Sequence, residues 1–347
     1  MIPPTFIALV VVLTSPPNAA PDTLPLVREA WIMGTRAAVI LDPPPPGSRL
    51  EASERVLGEL RRVERLLSTW DPTSELSKIN AASPGLRTMP GAELGELLAR
   101  AAELTDRAGG TFDPSVGAYI DAWDLRGSGR QPSPAELERA QAATGQPGVS
   151  IDRHSGAVVR HDRSAWLDSG AFGKGAALLA AARLPEADSV DMLVDLGGQL
   201  WLSPKGRPRR VEIAHPSDRA ATVGYFTLPS GHSVATSGIS ERAVTIDGVR
   251  IGHILDPRTG RPVSGWGSVS VVSEDPMEAD ALSTALFVMG PEAGAMWAET
   301  RGTVAALFVI ETATGLRVRW TPPMAQLLPA TPDGTPYVLY EPYLPSR

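Results

Sequence analysis

The segment 276–289 carries the pair of side chains with the clearest chemical potential. Asp280 sits among Met277, Ala281, Leu282, Ala285, Leu286 and Val288, and Thr284 follows one helical turn later. Residues four apart on a helix share a face, so the carboxylate and the hydroxyl can point at one spot. An unpaired carboxylate in an apolar setting is costly. A hard cation with oxygen ligands would answer it, and Mg²⁺ uses only one or two protein carboxylates. Spacing alone also allows a plainer outcome, and by itself favours it. In that outcome Asp280 hydrogen-bonds backbone or Arg242, and Thr284 is a core hydroxyl. Asp275 can cap the helix start, with Pro276 in the first turn and Glu278 completing a capping box.

Glycine-rich turns supply the other candidates. Asp168-Ser169-Gly170-Ala171-Phe172-Gly173-Lys174-Gly175 opens a helix of small residues. Exposed amides at such a start can bind phosphate, and Lys174 adds a point charge. The spacing is not that of a phosphate-binding GxxxxGK[ST] loop, and a tight strand-to-helix turn explains it equally well. Gly252-His253-Ile254-Leu255-Asp256-Pro257-Arg258-Thr259-Gly260 places His253 and Arg258 around a turn, and both side chains suit phosphate. Gly109-Gly110-Thr111-Phe112-Asp113 follows a helix end, where glycine is expected. Phe112 and nearby Trp123 could stack on a ring system, or simply pack at that helix end. Trp70 lies on a loop with Ser68 and Thr69 and is a further stacking surface or a partly buried anchor.

These groups need elements to hold them. Apolar residues at Val56, Leu60, Val63 and Leu67 give a helix over 52–67, and Leu94, Leu97, Leu98, Ala101 and Leu104 give a second. Ser133–Ala143 reads as a third. Trp31 to Leu41 reads as one strand. After Gly148 the pattern changes to short strands at 157–159, 192–196, 211–214, 223–228, 243–246, 269–273, 304–310 and 316–320, interrupted by helices at 173–183 and 276–289. Helices first and hairpins later predict an α+β fold.

The chain has 347 residues, a net charge of −7 and no cysteine. The acidic balance argues against a nucleic-acid partner, and the densest basic cluster, Lys205, Arg207, Arg209 and Arg210, reads as a solvated hairpin loop. Absent thiols exclude disulfides, thiolate metal sites, cysteine nucleophiles and a lipid-modified cysteine. Phe6 to Leu13 is an apolar run too short to cross a bilayer, followed by small residues at Ala19 and Ala20. It resembles a secretory signal, although no Lys or Arg precedes it and Pro21 would follow the cleavage point. We therefore expect a leader or disordered start over 1–27, an exported, periplasmic catalytic domain over 28–325, and a tail over 326–347.

Taken in order, the blocks resemble the FAD:protein FMN transferases of the ApbE family, from about Trp31 to Thr303. They are Met33-Gly34-Thr35, Ser68-Thr69-Trp70 through Asn80, Gly110-Thr111-Phe112-Asp113-Pro114, Asp168 to Gly175, Leu196-Gly197-Gly198, Thr236-Ser237-Gly238, His253 to Gly260, and Ala279 to Ala285. The resemblance implies an ApbE- and T-fold-like architecture of mixed, mostly antiparallel sheets with flanking helices. It implies cleavage of FAD with transfer of FMN, through a phosphoester, onto Thr or Ser of a target flavoprotein, releasing AMP. The client could be a subunit of a membrane-associated redox complex. A Mg²⁺ site follows at Asp280, Thr284 and the carbonyl of Ala171. FAD contacts follow at Met33, Trp70, Thr111, Phe112, Asp113, Asp168, Lys174, His253 and Ile254. A base must accept the proton of the incoming hydroxyl, and His253 and Asp256 are the candidates. The alternative is a protein that binds or hydrolyses FAD without transfer. Gln199, where Asp commonly stands, Ile239-Ser240 in place of Asp-Tyr, and Asp195 in place of Asn depart from the family pattern.

Overall fold

The computed structural model describes residues 24–42, 48–218, 220–238, 243–246, 248–330 and 334–336. Most of the expected leader, the Ile239-Ser240 departure and Arg242 lie outside the described residues. Leu26 and Val27, assigned to the leader by sequence, are the first residues of a strand.

Along the chain, β1 (Leu26–Ile32) and β2 (Thr35–Leu41) precede α1 (Ser48–Leu67), α2 (Glu75–Ala81), β3 (Arg87–Thr88), α3 (Ala92–Arg107), α4 (Gly117–Ala122) and α5 (Pro134–Ala142). Then come β4 (Val149–Ile151), β5 (Val158–Arg160), α6 (Gly173–Ala182), β6 (Met192–Leu196), β7 (Gln199–Leu202), β8 (Arg209–Ala214), β9 (Thr222–Leu228) and β10 (Ser233–Gly238). The last part holds β11 (Ala243–Ile246), β12 (Val249–Gly252), β13 (Leu255–Asp256), β14 (Arg261–Pro262), β15 (Gly267–Ser273), α7 (Pro276–Met289), α8 (Pro291–Arg301), β16 (Ala305–Thr312), β17 (Gly315–Trp320) and α9 (Pro322–Ala325).

The frame is an eight-stranded sheet in the order β1-β2-β6-β7-β10-β15-β16-β17. Every adjacent pair in it is antiparallel, which bears out the α+β expectation. Both faces are covered. Helices α1, α6, α7 and α8 lie on one face. There Val56, Leu60, Val63 and Leu67 of α1 join Leu178, Val194, Val269, Leu282 and Leu286 in one core. On the other face, Val211, Ile213, Phe226 and Leu228 of the β8–β9 hairpin pack with Leu193, Leu200, Leu307 and Met324. Leu328, assigned to the tail by sequence, belongs to this second core.

Three local expectations change. The single strand read over 31–41 is a hairpin, because Met33 (φ 54°) and Gly34 (φ 66°) both turn left-handed between the paired Ile32 and Thr35. Two residues at positive φ make the two-residue turn that suits strand twist. The capping box at α7 does not form. Asp275 accepts from Met277 N at 2.8 Å and Glu278 N at 3.1 Å, but the Glu278 carboxylate goes to Ser273 Oγ at 2.8 Å and to Arg107 at 2.6 Å. The basic cluster at 205–210 is not simply solvated. Arg209 reaches Asp42 at 2.5 Å and Asp191 at 2.9 Å, Arg207 bonds the same two carboxylates, and Arg210 lies over the Tyr225 ring at 3.9 Å.

Candidate functional site

Helices α6 and α7 touch where α6 begins. Asp280, 4% exposed, accepts from Gly175 N at 2.9 Å through one oxygen and from Lys174 Nζ at 3.2 Å through the other. A Cβ at Gly175 would lie 2.5 Å from the Pro276 carbonyl oxygen, 2.6 Å from Met277 Cα and 2.9 Å from Asp280 Cβ. Only glycine lets the two backbones approach this closely. The sequence reading offered the α6 amides to phosphate, but the Gly175 amide is taken by Asp280. The positive end of α6 and Lys174 together support that buried carboxylate.

Thr284 stands one turn beyond Asp280, as its spacing requires. Its hydroxyl bonds back to the Asp280 carbonyl at 3.3 Å and lies 3.4 Å from Ser237 Oγ. Ser237 also meets Ser283 at 2.9 Å. Among the described residues, no three His, Cys, Asp or Glu side chains gather as a metal set. The group present is instead one carboxylate with hydroxyls, and Ala171 lies on the loop that leads into α6. Hard oxygen donors with a single charge fit Mg²⁺, which keeps waters and substrate phosphates as its other ligands.

The loop ahead of α6 is tied at its other end. Asp168 accepts from Gly170 N at 2.7 Å and from Arg126 Nη2 at 3.1 Å, and its own amide donates to the Pro114 carbonyl at 2.7 Å. Asn80 brackets the preceding residue, donating to the Leu167 carbonyl at 2.9 Å and accepting its amide at 2.8 Å. Trp70 is 72% exposed beside a cleft of about 320 Å³, as a stacking surface must be.

The Pro114 contact brings in the 109–117 loop. Asp113 accepts from Ser115 N at 2.8 Å and Ser115 Oγ at 2.6 Å, yet burial pushes its carboxyl above the usual range. Thr111 Oγ1 donates to the Ala108 carbonyl at 2.9 Å. Phe112 and Trp123 do not serve as stacking surfaces. Phe112 is 1% exposed and meets Phe172 edge-on at 6.5 Å, while Trp123 is buried and donates to the Gly260 carbonyl at 2.7 Å. Buried by these contacts, neither ring offers an open face.

His253 is half-buried at the end of β12, and Ile254 beside it is buried. In the following turn Arg258 holds Asp256 with both side-chain arms, at 2.9 Å each, and with its own amide at 2.9 Å. Both oxygens of Asp256 therefore accept from Arg258. Gly260 (φ 66°) closes the turn over Tyr119, whose ring would meet a Cβ there at 2.1 Å. Burial, and then the charges of Asp256 and Asp113, push the Tyr119 hydroxyl up to about 12. Met33 lies in the β1–β2 turn, its amide donating to Glu64 at 2.5 Å. The structure therefore joins the 110–114, 168–175 and 280–284 groups in one contact chain. The sequence reading missed Arg126 and Trp166. Each lies far from its partners along the chain, and no periodicity marks them.

The molecule is an antiparallel α+β frame with a buried carboxylate-and-hydroxyl corner and an aromatic-edged cleft. A model of the ApbE family matches residues 33–308, and the chain belongs to that family. It is 34% identical over 337 residues to an FAD:protein FMN transferase of Rhodobacter capsulatus, a match covering 94% of this chain and 61% of that protein. It is 29% identical over 318 residues to the FAD:protein FMN transferase of Klebsiella pneumoniae (strain 342), covering 88% and 89%. Among solved structures, the apo form of the Pseudomonas stutzeri flavinyl transferase ApbE aligns with a TM-score of 0.75 at 28% identity, over 87% of this chain and 96% of that one. The ApbE protein of Thermotoga maritima aligns with a TM-score of 0.77 at 29% identity, over 87% and 99%.

Proposed function

We propose that this chain is an Mg²⁺-dependent FAD:protein FMN transferase. The observation that carries the reading is the Lys174–Asp280–Thr284 corner, placed at one end of a loop whose other end, at Asp168, borders the Trp70 cleft. The diphosphate and the flavin ring are separate parts of FAD, joined through the ribityl chain, and the two environments suit those two parts. The names of the relatives supply the substrate class.

In this reading a Thr or Ser hydroxyl of the target attacks the FMN-side phosphorus of FAD. The P–O bond to the AMP phosphate breaks, AMP leaves with the bridging oxygen, and the hydroxyl proton passes to a base. His253 is the first candidate for that base and Asp256 the second. Asp280, Thr284 and the Ala171 carbonyl would hold Mg²⁺, which supplies charge neutralisation at the diphosphate when bound. Lys174, paired with Asp280 Oδ1 at 3.2 Å, adds a second positive charge beside that site. The target is expected to be a flavoprotein subunit, and export of the chain belongs to the same proposal, to be tested by N-terminal sequencing of the mature protein.

The test combines the protein, FAD, Mg²⁺ and a target segment bearing the acceptor Thr. A mass increase of one FMN on the target with equimolar AMP is expected. FAD bound intact, or FMN and AMP released with no target modified, would overturn transfer in favour of binding or hydrolysis.

A further inference from the structure

We propose that Arg126 is a positioning residue for the substrate, locking Trp70 and Asp168 into one unit and so setting how tightly FAD is held. The inference rests on the FAD reading above, but its evidence is separate.

The guanidinium lies between two indoles, 4.6 Å from the Trp70 ring centre and 4.2 Å from that of Trp166. Its edge is spent on three further contacts. Nη1 donates to the Thr69 carbonyl at 3.2 Å, and Nη2 donates to Thr69 Oγ1 at 2.6 Å and Asp168 Oδ1 at 3.1 Å. Trp166 is itself fixed, its Nε1 donating to Asp121 Oδ2 at 2.8 Å. Face and edge of one planar group therefore join the Trp70 loop to the start of the loop that carries Ala171 and Lys174.

An indole that is 72% exposed would otherwise move among rotamers. Ordering it upon binding would subtract from affinity, whereas an indole already ordered does not incur that loss. Arg126 is suited to this as lysine is not, because only a planar fork can stack on two rings while bonding at its rim. The cleft beside it is lined by Thr69, Trp70, Pro72, Asn80, Arg126 and Trp166. A ring-bearing substrate seated there would meet a surface whose parts are fixed in advance.

The test uses Arg126→Met and Arg126→Lys in the full chain. FAD dissociation constants are read from quenching of flavin fluorescence, and KM and kcat from AMP release. Arg126→Met is expected to raise both the FAD dissociation constant and KM about tenfold while kcat stays within about threefold. Arg126→Lys should recover only part of the loss, since it keeps a charge for Asp168 but not the fork. Combining Arg126→Met with Trp70→Leu should weaken binding by less than the product of the single effects, because both act through one ring. An unchanged dissociation constant in Arg126→Met, or a fall in kcat matching the rise in KM, would overturn the proposal. If Arg126→Met does not fold, full FAD affinity in Arg126→Lys overturns it equally. Failure of the transferase reading is seen separately, as wild-type protein that binds FAD and modifies no target.

Discussion

The two ends of the 168–175 loop are built on opposite plans. At the α6 end, Lys174 and the Gly175 amide close on a carboxylate that is 4% exposed, between helices so near that a single methyl would not fit. At the Asp168 end, an arginine braces a tryptophan that is 72% exposed. On the transferase reading proposed above, the difference follows from what each end would handle. Charge developing on phosphate oxygens is best met by groups that are already fixed and shielded from water, where electrostatic interactions are strongest. A ring must be admitted from solvent, so its surface has to stay open while its shape is held. Changes at the first end should therefore damage both reaction and stability, and changes at the second should damage affinity alone.

The largest effect is expected from Asp280→Asn. Transfer should fall by about a thousandfold or more, and FAD binding should lose its dependence on Mg²⁺. Lys174 and the Gly175 amide would lose a charged acceptor, costing about 1–3 kcal/mol of stability. AMP release and thermal unfolding measure the two together. Activity within tenfold of wild type would place the reaction's charge elsewhere.

Gly175→Ala tests the same end without touching a charge. The added methyl must push the start of α7 away from α6, because two of the atoms it meets are backbone. A destabilisation of about 2–3 kcal/mol is expected, visible as a lowered denaturation midpoint, with transfer reduced because Asp280 moves with its helix.

How much of this was legible in the sequence depended on the range of the forces involved. The bounds of α7 were readable because Asp275 and Pro276 start it and Gly290 at φ 83° ends it, all local signals. The strand Met192–Leu196 was readable as an apolar run interrupted only by Asp195, and all five residues are buried. α8 was missed because Pro291–Arg301 mixes apolar and polar residues with no clear stripe, and Met296 faces solvent. The hairpin at Met33 was missed because a methionine at positive φ is not a turn signal. At the site, Asp280 and Thr284 announced themselves by a spacing of four. The partnership of Gly175 with Asp280, and that of Arg126 with Trp70 and Trp166, join segments that only the folded sheet and its helices bring together.

Trp70→Leu sharpens the other half of the comparison. The side chain is mostly in water, so stability should change by no more than about 0.5 kcal/mol. FAD affinity should fall about tenfold through loss of a stacking face. A melting temperature that falls with the affinity would show that the cleft is part of the structural frame after all.

The smallest effects are those of pH, and they set two carboxylates against each other. Burial pushes the Asp113 carboxyl up even though Ser115 bonds it twice. The folded chain then holds that proton more tightly than the unfolded chain, so stability falls as pH rises from the ordinary carboxylate range, about 4, through the raised folded value. Asp42 behaves oppositely. Burial works against its charge, but Arg209 and Arg207 outweigh it and hold the carboxyl below the usual range. Its stabilisation is present above the ordinary range and is lost as pH falls through the depressed folded value. In denaturant titrations between about pH 3 and 8, Asp113→Asn should gain on the wild type as pH rises, and Asp42→Asn should lose on it. Parallel curves for Asp113→Asn and wild type would mean that the carboxyl carries no burial penalty. A divergence would identify a carboxyl on the 109–117 loop whose charged form is penalised by burial.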